Sequence, residues 1–288
     1  MPTDFTIGAD PEFCCVDRGT LVNSNCFGNL ESSFGSDGGG IAFEIRPKPS
    51  INPLEVVSDI HKILLEQTIK YPEFLKFDWI SGSYTHRQSM GGHIHFGITN
   101  SYNSCGYDCC NFLDAYVGIS FLVVETMKEG YSRRCQGYGF FRDCRSQNYG
   151  FEYRMPASWL SSPYISAAFL CLAKTVVYEF INNENFSLYF LKNESKIMDT
   201  ILRHRDIDVL YLKNKFLIIW SEITKMKLYQ KYKIYIDIIY FLFKENLSWI
   251  PVMGMKESWG IYKDFEKKKF AMDVVWLKQE ENKEKLIS

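Results

Sequence analysis

The stretch Gly91-Gly92-His93-Ile94-His95-Phe96-Gly97 is the segment from which the rest of the chain is best interpreted. Side chains alternate between the two faces of a β-strand, so His93 and His95 would point the same way. Ile94 and Phe96 would then face the opposite side, towards a core. Glycines at both ends allow a backbone or a ligand to approach closely. A His-x-His strand also occurs where nothing binds, so its meaning depends on other segments.

Three further segments combine an apolar face with a polar one in the same way. They are 8–13 with Asp10 and Glu12, 41–47 with Glu44 and Arg46, and 150–156 with Glu152 and Arg154. Pro11 in the first of them indicates an edge strand or a bend, because proline cannot donate to a strand ladder. If all four segments belong to one sheet, one face of that sheet is polar. That face carries Asp10, Glu12, Glu44, Arg46, His93, His95, Glu152 and Arg154.

The residue types on this polar face indicate its chemistry. Solvated strand faces usually carry Thr, Lys, Ser and Gln, whereas this one concentrates Glu, His and Arg and has almost no Lys. Carboxylate and imidazole groups are ligands for divalent cations, and guanidinium groups bind phosphate. The pattern therefore predicts a site for a divalent metal and a phosphate group.

An arginine-rich passage precedes the Glu152 segment. It contains Arg133, Arg134, Arg142 and Arg145, interspersed with Tyr and Gly. Guanidinium makes forked hydrogen bonds to phosphate and to carboxylate, so the passage suits recognition of either group. The alternative is a solvated loop. The position of the passage between the two strongest motifs favours the functional interpretation, and we assign Arg134 to the phosphate group of the predicted site.

Length and charge exclude few functional classes. The 288 residues suit one large domain or two small ones, and 33 basic residues nearly balance 34 acidic ones. Net charge therefore indicates no preference for nucleic acid or an acidic membrane. Neither a cleavable signal nor a run of about twenty apolar residues is evident, so we expect no membrane span. The sequence indicates no oligomeric state.

The cysteine content predicts a compartment. Nine cysteines, an odd number without a secretory signal, favour free thiols, a reducing environment and a cytoplasmic location. Cys105, Cys109 and Cys110 lie close together, but no second pair at finger-like spacing accompanies them. We interpret them as buried thiols on and near a helix.

Several helices and strands are also predicted. Residues 5–22 read as two or three short strands. Asn52 can cap a helix that starts at Pro53 and stops at Pro72. Further apolar helices are expected at 112–128, closed by Gly130, and at 163–183.

The amino-acid composition of the chain changes near residue 185. Beyond it Gly becomes scarce and the pattern is helical, notably at 229–245 and 262–285. We therefore predict an α+β protein with two parts. Residues 1–185 form a catalytic domain that contains the predicted strands and the helices between them, and residues 186–288 form a helical region that packs on it.

The four motifs together resemble a known family. GADPEF (8–13), FEIRP (43–47), GGHIHFG (91–97) and YGFEYRMP (149–156), in this order, are similar to the phage-type COOH-NH2 ligases of type 2. These are amidoligases with a glutamine synthetase-like catalytic fold. The resemblance covers roughly residues 5 to 185 and is carried by the ordered set more than by any single motif. The helical tail is outside it.

The resemblance implies a fold and a reaction. The sheet would form an antiparallel half-barrel whose polar face binds ATP and divalent cations, Mg²⁺ or Mn²⁺. The γ-phosphate would be transferred to a substrate carboxylate, and an amine would attack the acyl phosphate to give an amide or peptide-like bond. The substrates would be small molecules or peptides, and a phage or virus would be the expected source of the gene.

The resemblance also assigns roles to residues. Metal-binding positions correspond to Glu12, Glu44, His93 and Glu152. His95 corresponds to a position near the nucleotide phosphates. Arg154 corresponds to the arginine that contacts the nucleotide and stabilises the transferring phosphoryl group, and Arg46 and Arg142 are expected to contact substrate or phosphate. Whether Asp10 is a metal ligand stays open, because relatives of glutamine synthetase often carry two glutamates in this motif.

Two other functions fit the same residues. A metal-dependent hydrolase could use His93, His95 and Glu152 to activate water, and it would need no nucleotide. A ligase fold with a disused site could serve only as a binding module.

Overall fold

The structure is a computed structural model that describes residues 4–27, 32–37, 39–98, 106–183, 206–250 and 254–261. The strands are β1 (Thr6–Asp17), β2 (Thr20–Leu21), β3 (Phe34–Asp37), β4 (Ala42–Ile45), β5 (Asp78–Ile80), β6 (Tyr84–Thr85), β7 (Gln88–Ser89), β8 (Gly92–Gly97), β9 (Cys144–Gln147) and β10 (Gly150–Tyr153). The helices are α1 (Pro53–Lys70), α2 (Gly106–Leu113), α3 (Ile119–Leu122), α4 (Met127–Cys135), α5 (Pro163–Asn182), α6 (Asp206–Ile223), α7 (Tyr229–Lys244) and α8 (Met255–Ser258). The protein is therefore α+β, as predicted.

One antiparallel sheet contains all four motif segments. Within the described residues its strand order is β3-β4-β1-β8-β10-β9, with β2 and β5 also pairing with β1. β6 and β7 form a separate hairpin. The prediction that the four segments share one sheet is confirmed.

The first strand differs from its prediction. Residues 5–22 contain two strands, β1 and β2, which agrees with the predicted number, but β1 is long instead of short. It runs continuously through the centre of the sheet, so Pro11 does not mark an edge. Pairing with β8 ends at Pro11, and pairing with β4 begins at Glu12. The Glu12 N–H donates to the Gly91 carbonyl at 2.9 Å, so the missing N–H of the proline leaves the ladder intact.

The apolar faces of these strands form the core. Phe13 is fully buried, and its ring lies 5.2 to 6.1 Å from the rings of Phe34, Phe43 and Trp79. Each buried side chain of this size contributes about 1.5–3 kcal/mol relative to an exposed one. α1 packs against β1 and α5, so one wall of helices covers this face and leaves the other for polar side chains.

The two long helices that flank the sheet have the predicted boundaries. The Asn52 side chain accepts a hydrogen bond from the Leu54 N–H at 3.2 Å, and Pro53 is the first residue of α1. Ser162 caps α5 in the same way, accepting from the Ile165 N–H at 3.2 Å. The predicted helices at 163–183 and 229–245 are confirmed as α5 and α7.

The predicted helix at 112–128 is wrong in its limits. Helical structure begins earlier, in α2, continues through a π-helical turn (Asp114–Gly118), and ends with α3 at Leu122. Gly130 does not close a helix but lies inside α4. A Cβ atom there would lie 2.2 Å from Glu125 Oε2, so a larger residue would displace the Glu125 side chain.

The expectation of free thiols is wrong for two cysteines. Cys110 in α2 and Cys144 in β9 form a disulfide across 34 residues of sequence. The pairing could not be read from spacing, because only the fold brings these two elements together. Cys14 and Cys15 are buried free thiols, as expected, Cys109 is buried, and Cys105 lies outside the described residues. The cytoplasmic location stays a prediction.

The C-terminal helices pack on the sheet-bearing part of the chain. α7 packs along α5, and the Trp249 ring lies 4.7 Å from Phe121 and 6.1 Å from Phe169. The division at residue 185 stays a prediction, and the predicted helix 262–285 lies outside the described residues.

Among the described helices, α5 is long and apolar enough to cross a membrane, but 78% of its most apolar window is buried inside the protein. It also carries the buried charged residues Lys174 and Glu179. A mostly buried helix of this kind is typical of a protein core.

Lys174 anchors the start of β1 to α5, which gives a first prediction. Its Nζ atom is buried and donates to Asp4 Oδ1 and to the Phe5 carbonyl, both at 2.5 Å. Lys174→Met should lower the free energy of unfolding by about 1–3 kcal/mol, because the carbonyl loses its donor. Urea unfolding measures this. Lys62→Met removes an exposed ion pair of 3.7 Å and should change stability by less than about 0.5 kcal/mol. Equal losses in the two variants would contradict the anchoring role.

Candidate active site

Three side chains from three adjacent strands converge on the polar face. Asp10 on β1, His95 on β8 and Glu152 on β10 each present a ligand atom within 4.8 Å of the other two. The strand register produces this convergence, since Glu152 lies directly opposite His95 and Asp10 opposite His93. Directly opposite residues in an antiparallel pair share a face.

His93 lies against this triad of Asp10, His95 and Glu152. Its Nδ1 atom is 3.3 Å from both Asp10 Oδ1 and Glu152 Oε1, and His95 Nε2 is 3.1 Å from Asp10 Oδ2. Burial alone would raise the pKa of Asp10, but the two imidazoles outweigh it and hold that pKa well below its usual range. Burial alone would lower the pKa of His95, but Asp10 outweighs it and the pKa is raised.

The triad fits a divalent cation. Among the described residues, Asp10 Oδ1, His95 Nε2 and Glu152 Oε1 are buried atoms without a well-oriented hydrogen bond. Buried polar atoms normally have such partners, so three together indicate that a further group binds there. Two carboxylates and an imidazole suit Mn²⁺, and Mg²⁺ with more water ligands.

A second carboxylate group lies next to the triad along β1. Glu12 is directly opposite Glu44 on β4, and its Oε2 accepts from the Gly91 N–H at 2.8 Å. Burial, with a contribution from Asp37, raises the pKa of Glu12 to about 8. Burial also raises the pKa of Glu44, although Arg46 opposes the shift. A cation near these groups would favour their ionised forms.

Two of the predicted arginines lie beside the predicted metal ligands. Arg46 makes a bidentate contact with the Glu44 carboxylate, with Nε 3.0 Å from Oε1 and Nη2 2.6 Å from Oε2. Arg154 Nε is 3.2 Å from Glu152 Oε1, and its Nη1 is 3.7 Å from Asp143 Oδ1. Both guanidinium groups are partly exposed and can reach a bound anion.

The structure places two other predicted arginines in different contacts. Arg134 is buried and paired with Glu125 at 2.8 Å. The backbone N–H of Arg142 donates to Asp114 Oδ2 at 2.6 Å, and its φ of 67° is in the left-handed region. Their roles towards nucleotide and substrate stay predictions.

The sequence interpretation gave no individual role to three residues that contact the triad, although it included Arg145 in the arginine-rich passage. Arg145 Nε and Nη2 lie 2.8 and 2.6 Å from Glu152 Oε2, and Gln147 Nε2 donates to the same oxygen at 3.0 Å. The Tyr149 hydroxyl is hydrogen-bonded to His95 Nδ1, with the two rings stacked at 5.8 Å. Arg145 and Gln147 alternate along a strand just before the Glu152 motif, and this spacing was the available signal.

Glycines make room for the functional side chains. A Cβ atom on Gly91 would lie 2.5 Å from His93 Nε2, and one on Gly35 would lie 2.1 Å from Arg46 Nη1. Close approach at the start of the His-x-His motif was predicted, and it is the imidazole of His93 that uses the space.

A cavity of about 460 Å³ opens beside the triad. Its lining includes Gly8, Asp10, Glu44, Arg46, His95 and Tyr149. The volume lies within the range of small-molecule sites, and charged groups converge at one side of a largely apolar wall.

Comparison with known proteins was made for sequence and for structure. No curated protein matches the chain in sequence. A bifunctional glutathione synthetase from Pasteurella multocida matches in structure with a TM-score of 0.43 and 9% sequence identity. The match covers 90% of this chain and 51% of the synthetase, so the chain spans about half the length of that protein.

A family match covers most of the chain. The sequence model described as phage phiEco32-like COOH.NH2 ligase-type 2 matches residues 7–261, including all four motif strands and α7. The match extends well beyond the region in which the motifs indicated a resemblance. The chain belongs to the phage phiEco32-like COOH.NH2 ligase-type 2 family.

Proposed function

We propose that this family member is an ATP-dependent carboxylate–amine ligase that acts through an acyl phosphate. One observation carries the proposal, namely the convergence of Asp10, His95 and Glu152 next to arginines and a cavity. Phosphoryl transfer needs mainly positioning and neutralisation of charge, which such a site can provide.

The proposed reaction has two steps. A substrate carboxylate oxygen attacks the γ-phosphorus of ATP, and ADP leaves with the bridging oxygen. An amine then attacks the carbonyl carbon of the acyl phosphate, loses a proton, and expels inorganic phosphate to give the amide. The carboxylate and amine are small molecules or peptides.

The residues of the polar face have different proposed roles in this reaction. Glu12, Glu44, His93 and Glu152 would hold Mg²⁺ or Mn²⁺, and the contacts of Asp10 and His95 support adding both to that set. The bound cations would neutralise phosphate charge. His95 also lies at the cavity wall, where it can contact the nucleotide phosphates.

The arginines bind the anionic groups of the substrates. Arg154 stabilises the phosphoryl group in transfer, and Arg46, which borders the cavity, binds phosphate or the substrate carboxylate. Arg142 and Arg134 are proposed as further contacts to substrate and nucleotide. A glutamine synthetase-like half-barrel formed by residues 1–185 is part of the same proposal.

Oxygen tracing tests the acyl phosphate directly. The full chain is incubated with Mg·ATP, an amine and a pool of ¹⁸O-carboxylate amino acids and peptides, and ADP, phosphate and products are analysed by mass spectrometry. The expected result is one ADP per amide, with one ¹⁸O atom in the released phosphate. Addition of EDTA should reduce turnover by at least roughly 100-fold.

The alternatives give different results in this assay. Amide cleavage without ATP would indicate a metal-dependent hydrolase. No ADP release with any substrate set, together with no binding of Mg·ATP by calorimetry, would indicate a binding module without catalysis. Amide formation without transfer of ¹⁸O to phosphate would contradict the acyl phosphate.

A further inference from the structure

The carboxylate of Glu152 is held from one side by an edge strand. β9 is the last strand in the sheet order and, in the described part of the chain, pairs with β10 alone. Arg145 and Gln147, the two residues that we name the β9 clamp, both donate to Glu152 Oε2. Glu152 is fully buried, whereas the Arg145 side chain is 56% exposed. A buried triad residue therefore depends on a short strand at the surface.

The clamp sets the orientation of the carboxylate. Arg145 and Gln147 both donate hydrogen bonds to Glu152 Oε2. The other carboxylate oxygen, Oε1, therefore faces His93 Nδ1 at 3.3 Å. Oε1 is also the atom of Glu152 without a well-oriented hydrogen bond among the described residues. Groups that orient a metal ligand from its far side typically change metal affinity by about 10–100-fold when removed.

A covalent bond fixes the clamp to the core. Cys144 is the first residue of β9 and is adjacent to Arg145, and its disulfide partner Cys110 lies in α2 with 1% exposure. A short edge strand is paired on one side alone, and strands of this kind belong to the part of a fold that opens easily. The disulfide therefore restrains the strand that carries both donors.

We propose that Arg145 and Gln147 are positioning residues for Glu152, and that the Cys110–Cys144 disulfide makes divalent-cation binding at the triad sensitive to redox state. A dithiol reductant would cleave the S–S bond to two thiols and be oxidised to its own disulfide. Released β9 would then hold Glu152 less firmly, and cation affinity would fall. The proposal rests on the proposed function only for the identity of the triad as a cation site.

Manganese binding tests the proposal without reference to catalysis. The dissociation constant of Mn²⁺ is measured by electron paramagnetic resonance for the full chain before and after dithiothreitol, with free thiols counted in each state. Reduction should add two thiols and weaken Mn²⁺ binding roughly 10-fold. The Cys110→Ser/Cys144→Ser variant should bind as weakly as the reduced protein and should not respond to dithiothreitol. Cys26→Ser, at an exposed free thiol, should retain the full response.

Two variants with the disulfide intact separate positioning from electrostatics. Gln147→Leu removes a donor without changing charge, and Arg145→Lys keeps the charge but loses the forked contact. Each should weaken Mn²⁺ binding roughly 10-fold with unchanged circular dichroism. Mn²⁺ affinity within twofold of the wild type in Gln147→Leu, or after a verified gain of two thiols, would overturn the proposal. Failure to gain thiols, or no Mn²⁺ binding in any form, would also overturn it. Absent ligation with an intact redox response would overturn only the proposed function.

Discussion

Glu152→Gln is expected to reduce ligation below detection and to weaken Mn²⁺ binding by at least roughly 100-fold. The substitution keeps the shape of the side chain but removes the charge that the triad offers to a cation. It also places an amide N–H₂ group where the structure has a carboxylate that accepts from Arg145 and Gln147 and lies 3.2 Å from Arg154 Nε. A neutral side chain cannot replace a carboxylate that lies beside two guanidinium groups and would hold a metal ion.

The two effects are measured separately. Turnover is followed by ADP release and Mn²⁺ binding by electron paramagnetic resonance, with circular dichroism to confirm the fold. Glu66→Gln is the matched control, because Glu66 lies on α1 with its side chain 53% exposed and forms an exposed ion pair with Lys62 at 3.7 Å. It should behave as the wild type in both assays. A Glu152→Gln protein that retained more than a tenth of its turnover would remove this carboxylate from the mechanism.

The sequence was sufficient to predict the polar face. Side-chain alternation in strands is a local property, so the pairs Asp10 with Glu12 and His93 with His95 could be assigned to one face before any contact was known. The antiparallel register then places Glu12 opposite Glu44 and Glu152 opposite His95. Motif order supplied the family, which the match over residues 7–261 confirms.

Contacts between distant segments could not be predicted in this way. The disulfide joins α2 to β9, and no spacing rule relates residues 110 and 144. The β9 clamp depends on a hairpin whose second strand carries Glu152, and the sequence interpretation included its first strand in the arginine-rich passage without predicting a strand there. Pro11 favoured an edge, whereas the structure accommodates it in the central strand because the ladder continues through the Glu12 N–H.

The arginine passage shows that one residue type serves two purposes. Arg145 contacts Glu152, but Arg133 is 2% exposed and donates to the Met155 and Pro156 carbonyls at 2.8 and 3.2 Å. Composition cannot separate a guanidinium that binds a ligand from one that supports the fold. Burial and partners, which only the structure gives, make the distinction.

Arg133→Met is accordingly expected to destabilise the protein by about 3–5 kcal/mol. The guanidinium satisfies two carbonyls at the end of the Glu152 segment, and Pro156 O also accepts from the Gly92 N–H at 3.0 Å. Loss of Arg133 would therefore loosen the junction between β10 and β8, leave the Met155 carbonyl without this donor, and leave Pro156 O with the Gly92 N–H. Gly139 leaves room for the Arg133 guanidinium, because a Cβ atom on that residue would lie 2.4 Å from Arg133 Nη1.

Equilibrium unfolding in urea measures this loss. Lys128→Met is the matched control, because it replaces an exposed cation of the same helix and should change stability by less than about 0.5 kcal/mol. Arg133→Lys should recover only part of the loss, since one ammonium group cannot reproduce the planar fork that spans the two carbonyls. A loss below about 1 kcal/mol in Arg133→Met would show that the two carbonyls do not depend on this guanidinium. It would also return Arg133 to the ligand-binding role that the sequence first suggested.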